Sequence, residues 1–579
     1  MIQHRIALAD PQAHLFRVSL TLSSPAPIQE LSLPVWIPGS YMVREFSRHL
    51  SGFKARQGSR ELAVEQTAKN RWRVQTQGRA ALVLEYEVYA YDTSVRAAFL
   101  SSERGFFNPC CLCLSVPGRE NEAQRLELAC LPSGWQVATA MRELGPLLYE
   151  AQDYDELADH PFELGPFWRG RFEAAGVPHE LVVSGALPVF DGERLLEATR
   201  RICEAQIAFW HGPKGRPPMD RYVFLLNTVD DDYGGLEHRA STALLSSRRD
   251  LPRLGQPEQS DGYVKLLGLI SHEYFHTWNV KRMRPDVFAR YDYERENYTE
   301  LLWFFEGFTS YYDDLMLVRA GLIDEARYLK LLGQTFTQVL AGPGRLRQSV
   351  AQSSFEAWTK YYRQDENTPN AVVSYYAKGA MVALALDLSL RGAERGASSL
   401  DELMRALWRA SEGGPIGEAQ ILATLASLAG EDIAAQLRGW VHGTEDLPLP
   451  ALMERMGLRW GQDKPSLAQR IGVRVAEEGG QVRVRQVLSG SAAMAAGLSA
   501  GDELLACNGW RLTRIEDALL TLDAQQPQQL ELLVSRDQRV RGLSLLLPLQ
   551  QAAVTPISLS PLDKAPARAQ GLRRAWLTG

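Results

Sequence analysis

The sequence predicts a multidomain chain: a β-rich N-terminal domain, an α+β middle domain and a small β domain near the C-terminus. Three observations carry this. The chain has 579 residues, and single hydrophobic cores stop growing at roughly 250–300 residues. Apolar residues alternate with polar ones over the first part of the chain, then recur at helical spacing in the middle. Short alternating runs with glycine-rich turns return after residue 465.

The expected N-terminal domain spans 1–173. In FRVSLTL, Phe16, Val18, Leu20 and Leu22 share one face, and in LEYEVY, Leu84, Tyr86 and Val88 alternate with Glu85 and Glu87. Pro25, Pro27, Pro38-Gly39 and Pro117-Gly118 punctuate these runs. That pattern reads as a β-sandwich-like domain. Cys110, Cys111 and Cys113 cluster in NPCCLCL, and they read as small buried side chains on a strand because no second Cys/His pair has a matching spacing for a metal.

The middle domain is expected over 174–452. RYVFLLN (221–227) reads as a strand, and 262–281, 297–320, 371–391 and 400–410 have helical period. LPLPALMERMG reads as the connection that follows. The small β unit is expected over 465–550. The last segment, 551–579, is a tail expected to dock through Leu572 and Trp576.

The composition bounds function. A 45% hydrophobic and 23% charged chain is ordinary for a globular protein, and the net charge of −6 argues against nucleic acid or an anionic membrane as partner. No basic start with an apolar run opens the chain, and no run reaches the roughly 18 apolar residues of a membrane helix. The expectation is a cytoplasmic protein without membrane attachment. Six cysteines do not make a disulfide framework in a chain of this size.

SHEYFHTW carries H-E-x-x-H at His272, Glu273 and His276. On a helix, positions i and i+4 share a face, so both imidazoles can reach one Zn²⁺. Glu273 stands beside them, placed to take a proton from water. A catalytic zinc needs a third protein ligand and an open position. ENYTELLWFFEGFTSYYDDL supplies one. Asn297 and Glu300 form a capping-box pattern at its start. Glu306 then falls among Trp303, Phe304, Phe305 and Phe308, where an unpaired carboxylate would be costly and metal coordination would remove the cost. Glu296, Glu300 and Asp313 are weaker candidates for that ligand, and Asp313 could instead orient a ligand histidine. Asn279 and Arg282 stand where a third histidine would follow in another class of zinc site, which favours a glutamate ligand.

HEYFHTW followed by WFFEGF resembles the thermolysin-like aminopeptidases. GGLEH (234–238) is similar to the G-x-M-E-N exopeptidase motif of the aminopeptidase N family, and YYAKG (375–379) to that family's Y-x-K-G segment. Together with the opening segment PVWIPGSYMVREFSRH, these motifs make the glycyl aminopeptidase family the closest match. Its members join a catalytic domain of this type to a PDZ domain. GSAAMAAGLSAGDELLACNG resembles the PDZ part, with Arg470, Ile471, Gly472 and Val473 as its carboxylate loop. The resemblance implies one Zn²⁺ per chain and a peptide substrate with a free N-terminus. Glu237 would bind the substrate's α-amine, Gly234 and Gly235 would let the peptide backbone approach, and Tyr376 would donate to the oxyanion. It also implies removal of small N-terminal residues, glycine and alanine. His238 departs from the asparagine of the aminopeptidase N motif. The PDZ part implies either a bound C-terminal peptide or a docking role. A zinc endopeptidase with a PDZ tether and a non-catalytic peptide-binding scaffold are the competing readings. The intact set of His272, Glu273, His276, Glu306 and Tyr376 argues against the scaffold.

Overall fold

A computed structural model describes residues 2–393, 398–522, 528–548 and 552–579. The end of the expected 465–550 unit, at 549–550, and the first residue of the expected tail lie outside these. The chain forms two compact units: residues 1–297 with 411–415, and residues 298–410 with 416–579.

The first unit opens with β-structure. An eight-stranded sheet has Ile2–Asp10 near its centre, parallel to Gln124–Leu128 on one side and antiparallel to Leu15–Leu22 on the other. Leu15–Leu22 pairs in turn with Leu82–Tyr89. Phe16, Val18, Leu20, Leu22, Leu84, Tyr86 and Val88 are all buried, as the alternation requires. Three- and four-stranded sheets complete this β-rich region. Cys110 and Cys111 lie on a helical turn, Pro109–Leu112, and Cys113 caps it. The cysteines are buried as expected but are not on a strand. Pro109 starts that turn at the one helical position where its missing N–H costs nothing.

A five-stranded sheet follows in the order Trp168–Ala174, Val177–Ser184, Tyr222–Val229, Ser241–Ser247, Gly234–Glu237. The three inner strands are parallel and buried throughout most of their length, which explains why RYVFLLN is continuously apolar rather than alternating. Gly234–Glu237 is the edge strand, antiparallel to Ser241–Ser247. The helix Asp261–Phe275 packs on this sheet. Its N-terminus is capped by Ser260, whose hydroxyl accepts from the Tyr263 N–H at 3.0 Å. It ends six residues before the expected 281, with His276 as its C-cap.

The second unit is largely helical, with a small β domain towards its C-terminal end. The segment expected as one helix over 297–320 is two, Leu302–Phe305 and Gly307–Arg319. Asn297 does not cap them: its carboxamide bonds both backbone groups of Asp292 instead. The expected 371–391 helix runs over Ala377–Arg391 after a separate turn, Thr368–Ala371. LPLPALMERMG is not a plain connection, because Leu449–Arg455 is helical.

The sheet of this small domain runs Val473–Glu478, Gln481–Val487, Glu503–Cys507, Gln529–Arg536, Arg539–Leu546. Asn508 (φ 49°) and Gly509 (φ 82°) turn the chain tightly between Glu503–Cys507 and Trp510–Arg511. The tail docks as a strand, Ile557–Pro561, paired with Leu458–Gln462, and as a helix, Ala567–Thr578. Trp576 is fully buried and its indole N–H donates to the Tyr311 hydroxyl at 2.9 Å. Its buried companion is Leu577, while Leu572 is only half-buried.

Candidate functional site

The helix Asp261–Phe275 brings His272 and His276 to one face. Their rings stand 4.6 Å apart and nearly perpendicular, and each offers a nitrogen within 4.8 Å of the other's. His276 Nδ1 lies 2.7 Å from the Asn279 carbonyl oxygen. A carbonyl only accepts, so this contact fixes the proton on Nδ1 and leaves Nε2 as a lone-pair donor. Two imidazoles at this spacing, one with Nδ1 bonded to a backbone carbonyl, are a donor set that fits zinc. Asn279 was legible only as the residue in place of a third histidine; its carbonyl is what matters.

Glu273 and Glu237 converge on the same place. A carboxylate oxygen of each lies within 4.8 Å of a His276 nitrogen and of the other. Glu237 is 4% exposed and makes no hydrogen bond or ion pair among the described residues. Arg239 is not its partner, since that guanidinium bonds Asp159 at 2.9 Å and Asp155 at 2.7 Å. A buried carboxylate without a donor is destabilising unless a cation arrives to meet it.

Glycines make this convergence fit. A Cβ on Gly235 would overlap the Glu273 carboxylate. Gly39, at φ +88°, turns the Pro38-Gly39-Ser40 segment directly onto Glu237: a Cβ there would lie 2.6 Å from both carboxylate oxygens. Arg96 donates to the Gly235 carbonyl at 3.1 Å, and a Cβ on Gly234 would meet the same guanidinium only at ordinary contact distance. Neither Gly39 nor Arg96 stood out as a site residue in the sequence, though Pro38-Gly39 was visible as a turn.

Behind Glu237 lies a buried charge cluster. Asp159 Oδ1 accepts from Lys281 Nζ at 2.8 Å and lies 3.1 Å from His238 Nδ1, while Oδ2 takes the Arg239 backbone N–H and Nε. Burial pushes the Asp159 carboxyl up, but Lys281, the His238 hydrogen bond and Arg239 outweigh it and hold it well below the usual carboxylate range. Burial lowers Lys281; Asp159, Tyr291 and Glu237 together raise it above its ordinary value. Single-sequence reading missed this cluster, because Asp159 is far in sequence from the other three.

In the second unit, Glu306 sits at the junction of Leu302–Phe305 and Gly307–Arg319 and is 2% exposed, amid the fully buried rings of Phe304, Phe305 and Phe308. Its backbone N–H donates to Leu302 O and its carbonyl accepts from Ser310, so the turn that carries it is helical on both sides. Tyr376 begins the helix Ala377–Arg391. Its ring stacks on Tyr375 at 4.7 Å, and its hydroxyl lies 3.5 Å from that of Tyr362. Tyr375 is fully buried core.

The segment expected as the PDZ carboxylate loop is not open. Arg470 and Ile471 close the helix Leu467–Ile471, which starts with a complete Ser466/Gln469 capping box and ends at Gly472 in the left-handed conformation. The Gln469 and Arg470 carbonyls accept from Val554 and Ala553 of the same chain.

Comparison with known proteins agrees with this architecture. Residues 3–166 match the Peptidase M61 N-terminal domain, 265–382 the M61 glycyl aminopeptidase domain and 462–535 the PDZ domain. No curated protein matches. Among solved structures, an aminopeptidase N family protein from Idiomarina loihiensis is 38% identical, with each chain covered over 100% of its length and a TM-score of 0.93. An M1 zinc metallopeptidase from Deinococcus radiodurans is 15% identical over 78% of this chain and 95% of its own, with a TM-score of 0.47. The fold and the domain matches define a metallo-aminopeptidase. The chain belongs to the M61 glycyl aminopeptidase family. No helix among the described residues is long and apolar enough to cross a membrane.

Proposed function

We propose that this enzyme is a zinc-dependent aminopeptidase that removes glycine or alanine from the free N-terminus of peptides. The observation that carries the reading is Glu237: a buried carboxylate, without a donor of its own, beside Glu273 and His276. Its natural complement is the α-ammonium of a substrate. An internal peptide bond offers no such cation, so the same group discriminates against endoproteolysis.

His272, His276 and Glu306 hold the metal in this reading, with one Zn²⁺ per chain. The grouping of one ligand atom from each of His272, His276 and Glu306 within 4.8 Å of one another supports this set. When bound, the ion supplies a Lewis acid at the scissile carbonyl and raises the acidity of water. Glu273 accepts the proton of the attacking water and returns it to the leaving amine. Tyr376 donates its phenolic hydrogen to the developing oxyanion. Glu237 fixes the register at the first residue, on an edge strand that Gly234 and Gly235 keep narrow. The family's glycyl character supports the preference for small first residues. The PDZ domain supports a peptide-binding or docking role, and residues 174–452 are read as the catalytic domain.

The test is hydrolysis of Gly-, Ala- and Leu-p-nitroanilide and their N-acetyl forms by wild type and by Glu273→Gln, with zinc content measured in both. Cleavage of only the free-amine substrates, fastest for Gly and Ala and lost in Glu273→Gln with zinc retained, is expected. Cleavage of the N-acetyl substrates at comparable rates would defeat the reading.

A further inference from the structure

Lys281 and a substrate's N-terminus carry the same chemical group. Both are primary ammonium ions, and both are therefore natural partners of Glu237. Lys281 is 3% exposed, and both it and Glu237 stand beside His276, whose ring nitrogen lies within 4.8 Å of a Glu237 carboxylate oxygen. The Lys281 backbone is anchored, because its N–H donates to the His276 carbonyl at 2.9 Å. Yet its ammonium goes to Asp159, at 2.8 Å, and the Glu237 carboxylate has no hydrogen bond among the described residues. Asp159 caps the C-terminal end of the short helix Tyr154–Ala158, within the family's N-terminal domain. The same carboxylate bonds His238 and Arg239, the two residues that follow Glu237.

We infer that Asp159 is a positioning residue for the amine subsite: by holding the Lys281 ammonium, it keeps Glu237 available for the ammonium of the substrate. The inference rests on the reading of Glu237 given above. A buried cation that loses its carboxylate must find another or give up its proton, since an uncompensated buried charge is strongly unfavourable. Glu237 is the carboxylate that the geometry offers, because the next residue, His238, shares Asp159 Oδ1 with Lys281. Once paired with Lys281 it would no longer bind an incoming amine, and a substrate would have to displace an internal cation first. The N-terminal domain thus acts on the amine subsite through a buried acid, besides the turn at Gly39 that lies on Glu237.

The experiment compares steady-state kinetics on Gly-p-nitroanilide for Asp159→Asn, Lys281→Met, the double variant of these two, Glu237→Gln, and Glu237→Gln combined with Asp159→Asn, with zinc content checked throughout. Asp159→Asn keeps the shape and removes the charge. It is expected to raise KM about tenfold while kcat stays within about threefold, the split expected when ground-state binding is what is lost. Removing Lys281 as well is expected to bring KM back to within about threefold of wild type, because the rival cation is gone. In the Glu237→Gln background, Asp159→Asn is expected to add no further increase. A merely structural role predicts the opposite: kcat and stability fall together, and the double variant is no better than Asp159→Asn. A KM unchanged in Asp159→Asn, or still raised in the double variant, would overturn the inference. If Asp159→Asn does not fold, the double variant decides, since it carries no unpaired buried cation. Glu237→Gln alone separates the two levels. If it leaves KM unchanged, the reading of Glu237 fails; if it raises KM while Asp159→Asn does not, only the role of Asp159 fails.

Discussion

Gly307 and Gly379 meet backbone to backbone. A Cβ on Gly307 would fall 2.6 Å from Gly379 Cα and 2.7 Å from the Tyr375 carbonyl, and one on Gly379 would fall 2.8 Å from the Trp303 carbonyl. Gly307 follows Glu306, and Gly379 lies one turn beyond Tyr376, so this crossing sets where the acid and the phenol stand relative to each other. Gly307→Ala or Gly379→Ala is expected to destabilise the protein by about 1–3 kcal/mol, the usual cost of overpacking a tight contact. It should also lower kcat. Denaturant unfolding and turnover on Gly-p-nitroanilide check both, and a fully stable, fully active Gly307→Ala would contradict this account of the crossing.

Tyr376→Phe removes one hydroxyl and keeps the ring that stacks on Tyr375. As the oxyanion donor, its loss should reduce kcat roughly 100- to 1,000-fold with little change in KM. A reduction of less than tenfold would assign Tyr376 to packing.

Gly39→Ala tests the turn that lies on Glu237. The left-handed φ of +88° disfavours a side chain, and the added methyl would stand against both carboxylate oxygens. KM for free-amine substrates is expected to rise, while zinc content, read by elemental analysis, stays at the wild-type level. Loss of zinc with unchanged KM would show that the turn supports the histidines instead.

Two buried histidines predict an acid limit. Desolvation lowers His4 from its ordinary 6.5 to about 4, although the Gln124 hydrogen bond opposes it, and desolvation lowers His179 likewise to about 4 against its bond to the Val177 carbonyl. Between about pH 6.5 and 4 the unfolded chain therefore binds more protons than the folded one, so stability rises with pH across that window. It should be complete above pH 6.5 and decline as pH falls toward 4, by roughly 3 kcal/mol at most for each ring. Melting temperatures from pH 7.5 to 4.5 should show this, and His4→Gln should flatten the slope. An unchanged slope would mean that His4 takes up its proton without unfolding.

Several residues of the candidate site were legible in the sequence. H-E-x-x-H needs only helical spacing to place His272 and His276 on one face, and strand alternation alone marks Phe16, Val18, Leu20 and Leu22 as core. Those are short-range properties, fixed by the period of the backbone. The resemblance of short motifs pointed to the PDZ domain and added Glu237 and Tyr376 as candidates. Helix limits were less legible. The break at Glu306 and the end of the helix at Phe275 depend on long-range packing, which propensity does not encode.

The sequence by itself determined the chemistry: which imidazoles and carboxylates are present, at helical spacing, and in which order the domains follow. Only the tertiary structure decided which charges meet. Asp159 and Lys281 are far apart in the chain, as are Gly39 and Glu237, and nothing local in either pair marks the other. Their contacts arise because burying apolar strands and helices leaves a few polar groups inside, and each must be met by whichever partner the fold brings within reach. That requirement gave Lys281 to Asp159 and left Glu237 without an internal donor.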